Sequence, residues 1–580
     1  MKRWLYRPFD PAVAARIAVE HSLPELLAAL LAQRKVCEPE AVAAFLQPSL
    51  DQLYDPFRMK GMAEAVDRLR QAAAQRETVL LYGDYDVDGT TAVTLLGSVL
   101  RALGAEPRHH VPHRVREGYG LRIEPIERAA AEGVRLVVSA DTGITGDDVV
   151  ARARELGVDC IITDHHLPNL DRLPRALAVL NPNQSDCPYP EKNLCGVGVA
   201  FKLAQALLER EGWPAERRTK FLRSLLKIVA IGTVADLVPL TGENRILVAL
   251  GLDGLRRPAN PGLRALLDVA GLRGGGPLSA GDVGFRVAPR LNAAGRMDTA
   301  DLGVALFGAR DADVAADLAA RLDQLNAARQ QEEEETVRAI CERLAGSPPP
   351  DVLPFFVVEG EGWHPGVIGI VASRIVERFH RPTLVLSVNA ETGLATGSAR
   401  SIPGLHLLEA LQAAAPLFER FGGHRQAAGC TIRAERVPAL REALNDYAAQ
   451  VLGPEDFQPV LLLDAELPFR RITDELMEQI ARLAPHGLGN PTPLFATANV
   501  RLCGQPRVLK ERHLRLRMQH DNCAMSAIGW RMAELAPSLD GCGDLDAAYC
   551  IESDDYWGGW RLNLKDLRTT LLEAAPGGEG

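Results

Sequence analysis

Between Met62 and Thr241 short apolar runs alternate with helical stretches, and four of the runs close on acids or imidazoles: ETVLLYGDYDVDG, VRLVVSAD, DCIITDHH and IVAIGTVADLV. A further run, PRHHVPHR, falls between the first two. Strands separated by helices pair in parallel, which predicts a doubly wound α/β sheet. Ligands of such sheets sit beyond the carboxyl ends of the strands. The pattern therefore brings Asp84, Asp86, Asp88, Asp141, Asp164, His165, His166 and Asp236 to one crevice. A lone Asp of this kind reads as a helix N-cap or a solvated turn. Four strand ends in one sheet crowd carboxylates that repel each other unless cations hold them.

The first run starts like a calcium loop, D-x-D-x-D-G, yet its twelfth position is Leu95 instead of Glu, and ETVLL before it is β-prone where a helix is needed. Strand, acidic turn and a helix from near Thr90 is the expected local structure.

A chain of 580 residues exceeds one core. Residues 1–50 have helical period and read as an N-terminal helical arm. Residues 51–300 hold the parallel-sheet catalytic domain. Residues 301–347 form a helical connector ending in one long helix, stopped by Gly346-Ser-Pro-Pro-Pro350, with Glu332 to Glu335 as a solvated face. A second, smaller α/β domain covers 351–453. The alternating β-like runs of 458–573 fit an OB-type barrel, a fold that commonly binds oligonucleotides. The tail AAPGGEG should be disordered.

A net charge of -10 argues against a simple coat for nucleic acid but leaves room for a local basic channel. Ten cysteines without a C-x-x-C pair support neither zinc knuckle nor disulfide framework. No apolar stretch approaches the ~20 residues of a membrane span, so a cytoplasmic protein is expected.

Carboxylate and imidazole without thiolate suit Mn²⁺, Mg²⁺ or Zn²⁺, and the mixture leans to Mn²⁺ over Ca²⁺. Six or seven ligands are too many for one ion and suit two that share carboxylates. Such a pair hydrolyses phosphoesters or phosphoanhydrides by in-line displacement. No Walker loop, G-x-S-x-G elbow or Cys-His pair competes.

The set DYDVDG, DTG, DHH and GTVADLVPL resembles the DHH phosphoesterase superfamily, and Gly422-Gly423-His424 in FGGHRQAAG resembles its DHHA1 companion domain. Nearly end to end, the chain is similar to the RecJ family of bacterial single-stranded-DNA-specific exonucleases. That similarity runs through EGYGL (117–121), TDHHLP (163–168), LCGVGVAFKL (194–203), PRLNAAGRM (289–297), WHPGVIGIVASRI (363–375), SARSIPGLH (398–406) and PHGLGNPTPLF (485–495). The resemblance implies a DHH domain joined by a long helix to a DHHA1 domain and followed by an OB-type barrel. It also implies 5′-to-3′ exonucleolytic hydrolysis of single-stranded DNA to mononucleotides with two Mn²⁺ or Mg²⁺ ions, in DNA repair and recombination.

Carried over by position, the implied metal ligands are Asp84, Asp86, Asp88, Asp141, His165, His166 and Asp236, with Asp141 and Asp236 as bridges and Asp164 orienting an imidazole. How the three motif-one acids divide the ions stays open. Two departures are Thr142, where many relatives have Asn, and Ala399, where Gly is common. Implied partners are single-stranded DNA, single-strand-binding protein and a helicase, for a monomeric enzyme.

A single strand needs cations for phosphate and flat groups for bases. Arg290, Asn292 and Arg296, in what reads as a Gly-containing loop, supply the first, and Ser398, Arg400, Ser401 and His424 do so from the second domain. Given the resemblance, their target is a 5′-terminal phosphate. Arg114 and Arg116 are weaker candidates. Trp363, Trp530, Trp557 and Trp560 are candidate stacking platforms, against a default of core packing. The alternatives are a DHH-family phosphodiesterase for short oligonucleotides, cyclic dinucleotides or pyrophosphate, and a non-catalytic nucleic-acid- or calcium-binding protein. The roughly 125 residues after Gly453 weigh against the first.

Overall fold

The computed structural model describes residues 2–114, 116–169, 172–345, 353–554 and 558–569. The segment 346–350, Trp557 and the tail after 569 lie outside the described residues. The chain divides into two compact units, Leu50–Gln458 and a second made of Met1–Ser49 with Pro459–Gly580.

In the larger unit, β1 (Thr78–Gly83), β2 (Glu106–His110), β3 (Leu136–Ala140), β4 (Asp159–Thr163) and β5 (Ala178–Leu180) form an all-parallel sheet in the order β2-β1-β3-β4-β5. The strands alternate between two cores. Val79, Leu81, Leu136 and Val138 pack on one face, and Leu80, Tyr82, Val137 and Ile162 on the other. Burial on both faces is why these runs are continuously apolar. The strand order reverses between β1 and β3, and a crevice opens at such a switch point. Each ladder continues one residue beyond the strand. Asp84 N–H donates to Ala140 O (3.1 Å), Asp141 N–H to Thr163 O (2.9 Å) and Asp164 N–H to Leu180 O (3.0 Å), so the motif acids stand in a row along the crevice.

Helix α1 (Val87–Leu103) starts three residues earlier than expected, because Asp86 is its N-cap and accepts from Gly89 N–H at 3.0 Å. A Cβ on Gly89 would lie 2.5 Å from Asp84 O, so the glycine serves close helix approach. The fourth acid-tipped run is not a strand. IVAIGTVA is the end of α3 (Ala215–Ala235), which follows α2 (Gly196–Arg210) and is buried continuously from Ile228 to Val234. A short apolar run cannot be told from a fully buried helix segment by periodicity, and Asp236 enters the crevice as a helix C-cap.

Beyond α4 (Gly242–Leu255) and α5 (Pro261–Val269), PRLNAAGRM also differs from expectation. It forms helix α6 (Ala288–Met297), started by Pro289 in its first turn. Its Gly295 lies where a Cβ would come 2.3 Å from Tyr85 O. The connector is α7 (Ala312–Ala345), a helix of 34 residues. Within its acidic run Glu333 is buried, not solvated, because two arginines pair with it.

The second lobe is a mixed sheet of β6 (Phe356–Glu361), β7 (Thr383–Asn389), β8 (Leu394–Arg400), β9 (Phe418–Gly423) and β10 (Ala427–Arg433), ordered β9-β10-β8-β7-β6. Helix α8 (Ile368–Phe379) crosses between β6 and β7.

The smaller unit is a closed five-stranded barrel. Strands β11 (Phe495–Leu502), β12 (His513–His520), β13 (Cys523–Gly529), β14 (Leu545–Ser553) and β15 (Trp560–Thr569) run β11-β14-β15-β13-β12, and β12 returns to β11 at Arg501↔Gln519. Closure removes the open sheet edges. The N-terminal helices share its core, where Ile17, Leu27 and Leu30 join Phe469, Phe495 and Tyr549. Arg3–Tyr6 pairs in parallel with Val460–Leu463. Among the described residues no helix is long and apolar enough to cross a membrane.

Candidate metal centre and active site

Seven of the acids and imidazoles predicted to meet do meet. Three groups hold their donor atoms within 4.8 Å of one another: Asp84, Asp86 and Asp141; Asp141, His165 and His166; Asp88, His165 and Asp236. Asp141 belongs to two of them. Its φ of 65° is left-handed, a conformation that a non-glycine residue adopts at a cost. Gly196, at the start of α2, gives it room, since a Cβ there would fall 2.4 Å from Asp141 Cβ.

His165 Nε2 lies 3.1 Å from Asp141 Oδ1, 3.6 Å from Asp236 Oδ2 and 3.9 Å from Asp88 Oδ2. Burial, helped by the neighbouring His166, lowers its pKa to about 4, so the ring is neutral and offers a lone pair. Asp164 accepts from the backbone N–H groups of Ile144 (2.9 Å), His165 (2.7 Å) and His166 (3.1 Å) and pairs with His166 Nδ1 at 2.7 Å. Burial opposes its ionisation, but the His166 contact and the amides hold its carboxyl below the usual range. Burial likewise disfavours charge on His166, and Asp164 overcomes this to raise the imidazole to about 9. The same Nδ1 lies 4.0 Å from Asp141 Oδ1, which places the ring beside the crevice acids.

The remaining carboxyls are pushed the other way. Burial first, then mutual repulsion, raises Asp88 to about 7 and Asp236 to about 9, and lifts Asp84 and Asp141 well above the carboxylate range. Asp88 differs from the others in being already bound, accepting from Gly196 N–H (2.5 Å) and Val197 N–H (2.8 Å) at the start of α2. Asp84 Oδ1, Asp141 Oδ1, His165 Nε2 and Asp236 Oδ2 are buried without hydrogen-bond partners. Orphaned, mutually repelling oxygens beside a neutral imidazole are what a divalent-cation cradle requires. The adjacent thiol, Cys195, is held protonated by burial and by Asp88 and Asp236, which leaves an oxygen and nitrogen donor set. Such a set suits Mn²⁺ or Mg²⁺ better than a thiophilic ion.

Of the residues predicted to grip phosphate, Arg296, Ser398 and Arg400 come together. Arg296 donates to Gly366 O (2.9 Å) in the loop before α8, and Arg400 donates to Ser398 Oγ (3.1 Å). A Cβ on Gly369, in the first turn of α8, would meet Ser398 Oγ at 3.0 Å and Arg400 Nη2 at 3.2 Å. Serine and arginine thus lie against a helix start, an anion-binding arrangement. Burial and then Arg114, Arg329 and Arg400 lower Arg296 to about 9, and burial with Arg114 lowers Arg400. Four arginines therefore share one neighbourhood. Asn292, one turn before Arg296 on α6, is half-buried, and His424 is exposed at the turn between β9 and β10, whose Ala427 pairs with Arg400.

Others are occupied elsewhere. Arg290 pairs with Asp323 at 2.8 Å and donates to Arg286 O and Val269 O. Ser401 donates to Leu405 O inside a turn, and Arg116 is exposed. Trp363 packs against Gly360 and Trp560 donates to Asp474, whereas Trp530 is 47% exposed with its ring 4.8 Å from His513. Thr142 is buried beside Asp141, and Ala399 points into the core of the second lobe, away from Ser398 and Arg400.

Two residues escaped sequence reasoning. Tyr119 places its hydroxyl 3.2 Å from His166 Nδ1, and the Gly-Tyr-Gly of EGYGL was its signal. Arg329 on α7 contacts Glu333 Oε2 (2.5 Å) and keeps a buried, unpartnered Nε. Nothing in a long helical repeat distinguishes it.

Three family models match the chain: the DHH family N-terminal domain over residues 78–233, the DHHA1 domain over 353–450 and the RecJ OB domain over 463–566. The chain is 41% identical over 520 residues to the single-stranded-DNA-specific exonuclease RecJ of Dickeya dadantii strain 3937, covering 87% of this chain and 88% of that one. It is 36% identical over 559 residues to the protein of that name from Escherichia coli K12, covering 93% and 95%. Among solved structures, RecJ from Thermus thermophilus in complex with Mn²⁺ superposes with a TM-score of 0.82 at 31% identity, covering 100% of this chain and 80% of that one. Its complex with Mg²⁺ gives 0.76 at 30%, covering 98% and 78%.

Proposed function

The chain belongs to the RecJ family of single-stranded-DNA-specific exonucleases, and from that premise we propose that it removes mononucleotides from the 5′ end of single-stranded DNA with two divalent cations, Mn²⁺ or Mg²⁺. The observation that carries the reading is the juxtaposition of the orphaned Asp84, Asp141, His165 and Asp236 atoms with the Arg296, Ser398 and Arg400 cradle in one compact unit.

Asp84, Asp86, Asp141, His165, His166 and Asp236 would hold the ions, Asp141 lying in two donor groups and Asp236 next to it across His165. Asp88 contributes from the Asp236 side while anchoring the start of α2. Bound cations supply Lewis acidity for the phosphoryl group and for the attacking water. Asp164 fixes the His166 tautomer, so that the ring keeps one orientation through turnover. Neutral His165 adds a donor without adding charge. Tyr119 sets its ring edge against His166, with its hydroxyl 3.2 Å from Nδ1. Arg400, Ser398 and Arg296 take the terminal phosphate by charge-assisted hydrogen bonds, with Asn292 and His424 flanking.

Single-stranded DNA produced by a helicase and covered by single-strand-binding protein is the natural source of substrate, and a monomeric cytoplasmic enzyme in repair and recombination is the setting that fits. The test uses long single strands blocked at one end and incubated with Mn²⁺. Strands blocked at the 3′ end are degraded to mononucleotides and strands blocked at the 5′ end persist. Turnover confined to dinucleotides would replace this reading with that of a short-oligonucleotide phosphodiesterase.

A further inference from the structure

Away from the metal centre, the end of α4, the start of α5 and the loop after α5 enclose a cleft of about 340 Å³. Its rim carries Arg256, Arg257, Arg264 and Arg273, all exposed, against one lining carboxylate, Asp268. This concentration occurs in a chain whose net charge is -10. Arg273 pairs with Asp268 at 3.1 Å and Arg256 weakly with Asp253 at 3.5 Å, whereas Arg257 and Arg264 have no ion-pair partner among the described residues. The floor is apolar, made by Pro258, Leu267 and Leu272. One wall is Gly274 and Gly275, with φ of 118° and 70°, so this wall puts no side chain of its own in the way of a backbone that approaches.

The cleft is tied to the phosphate cradle through α6. On α6, Arg290 donates to Val269 O and Arg296 follows on the same helix, while Arg286, in the turn just before α6, donates to Ala270 O and Gly271 O. About 9 Å of helix separates Arg290 from Arg296.

We propose that this cleft is a second, distal binding site for the single-stranded substrate, with backbone phosphates on the arginines and base faces on the apolar floor. Unstacked bases expose apolar faces that a duplex hides, so a cationic rim over an apolar floor favours the single strand. The inference rests on the exonuclease reading and extends its footprint.

The test is the double variant Arg257→Ala/Arg264→Ala, which alters exposed side chains only, measured in chelator against oligothymidylate over a range of salt. Binding of a long strand weakens roughly tenfold and the slope of log K against log salt becomes shallower by about 1.4, the loss of two single-strand phosphate contacts. Strands too short to reach the cleft bind, and with Mn²⁺ are hydrolysed, as before. The Arg257→Lys/Arg264→Lys variant keeps the slope. An unchanged slope overturns the proposal, as does a lysine variant that falls as far as the alanine one, or competition at the cleft by an acidic peptide but not by oligothymidylate. A wild-type protein that degrades no single strand defeats the exonuclease reading itself, whereas normal degradation with an unchanged slope defeats the cleft alone.

Discussion

The carboxylate crevice and the arginine cluster beside it are electrostatic mirror images. In the first, burial and mutual repulsion raise Asp84, Asp88, Asp141 and Asp236 out of the carboxylate range. In the second, burial and the like charges of Arg114, Arg329 and Arg400 bring Arg296 down to about 9. Neither arrangement stabilises the fold. At an effective dielectric of 20, two like charges 4 Å apart cost about 4 kcal/mol. A chain that keeps both is built around ligands of opposite sign, and a phosphodiester escorted by cations satisfies the two regions together.

The strongest test of that symmetry is Asp141→Ala. It removes the acid common to two donor groups and lowers the release of mononucleotides by at least about 10³-fold. The fold survives, since the change relieves repulsion, and the melting temperature in chelator is unchanged or higher. Loss of turnover accompanied by unfolding would break the comparison. On the opposite side, Arg400→Ala removes charge-assisted contacts worth about 1.5–3 kcal/mol. It raises KM for a 5′-phosphorylated strand roughly 10–100-fold and leaves hydrolysis of a small activated phosphodiester intact. Equal loss on both substrates would place Arg400 in the metal region instead.

The smallest effect concerns pH. The folded carboxyls, with Asp88 at about 7 and Asp236 at about 9, hold protons that the unfolded chain has released above about 4. Their contribution to stability is therefore complete in acid and lost as pH rises through 7 and 9. Metal-free protein melts a few degrees lower at pH 9 than at pH 6, and Mn²⁺ raises the melting temperature more at the higher pH. A Mn²⁺ effect independent of pH would show that these acids are not the ones that take up the ions.

The acid half of the comparison was far more legible in the sequence than the basic half. Strand-end acids are local. Apolar runs end in DYD, AD and DHH, and the parallel sheet aligns them without any knowledge of side-chain packing. Asp236 was found for a partly wrong reason, because the buried end of α3 carries the same Ile-Val-Ala composition as a strand. Arginine roles depend on partners distant in the chain. Arg290 and Arg296 are six residues apart on one helix, yet Asp323 occupies the first and Gly366 positions the second. Arg329 and Glu333 follow the same logic, and a run of four glutamates gives no hint that its second member faces inward.

One feature of the smaller unit bears on how the protein is made. Its barrel core needs both the first 49 residues and those after 459, with the whole of 50–458 inserted between them. At ribosomal rates that insert takes roughly 20–80 s to emerge. During that interval Ile17, Leu27 and Leu30 have no core to enter and are the surface a chaperone would hold. A truncation that removes the barrel therefore has to remove the first 49 residues as well, or it leaves three helices with their apolar faces in water.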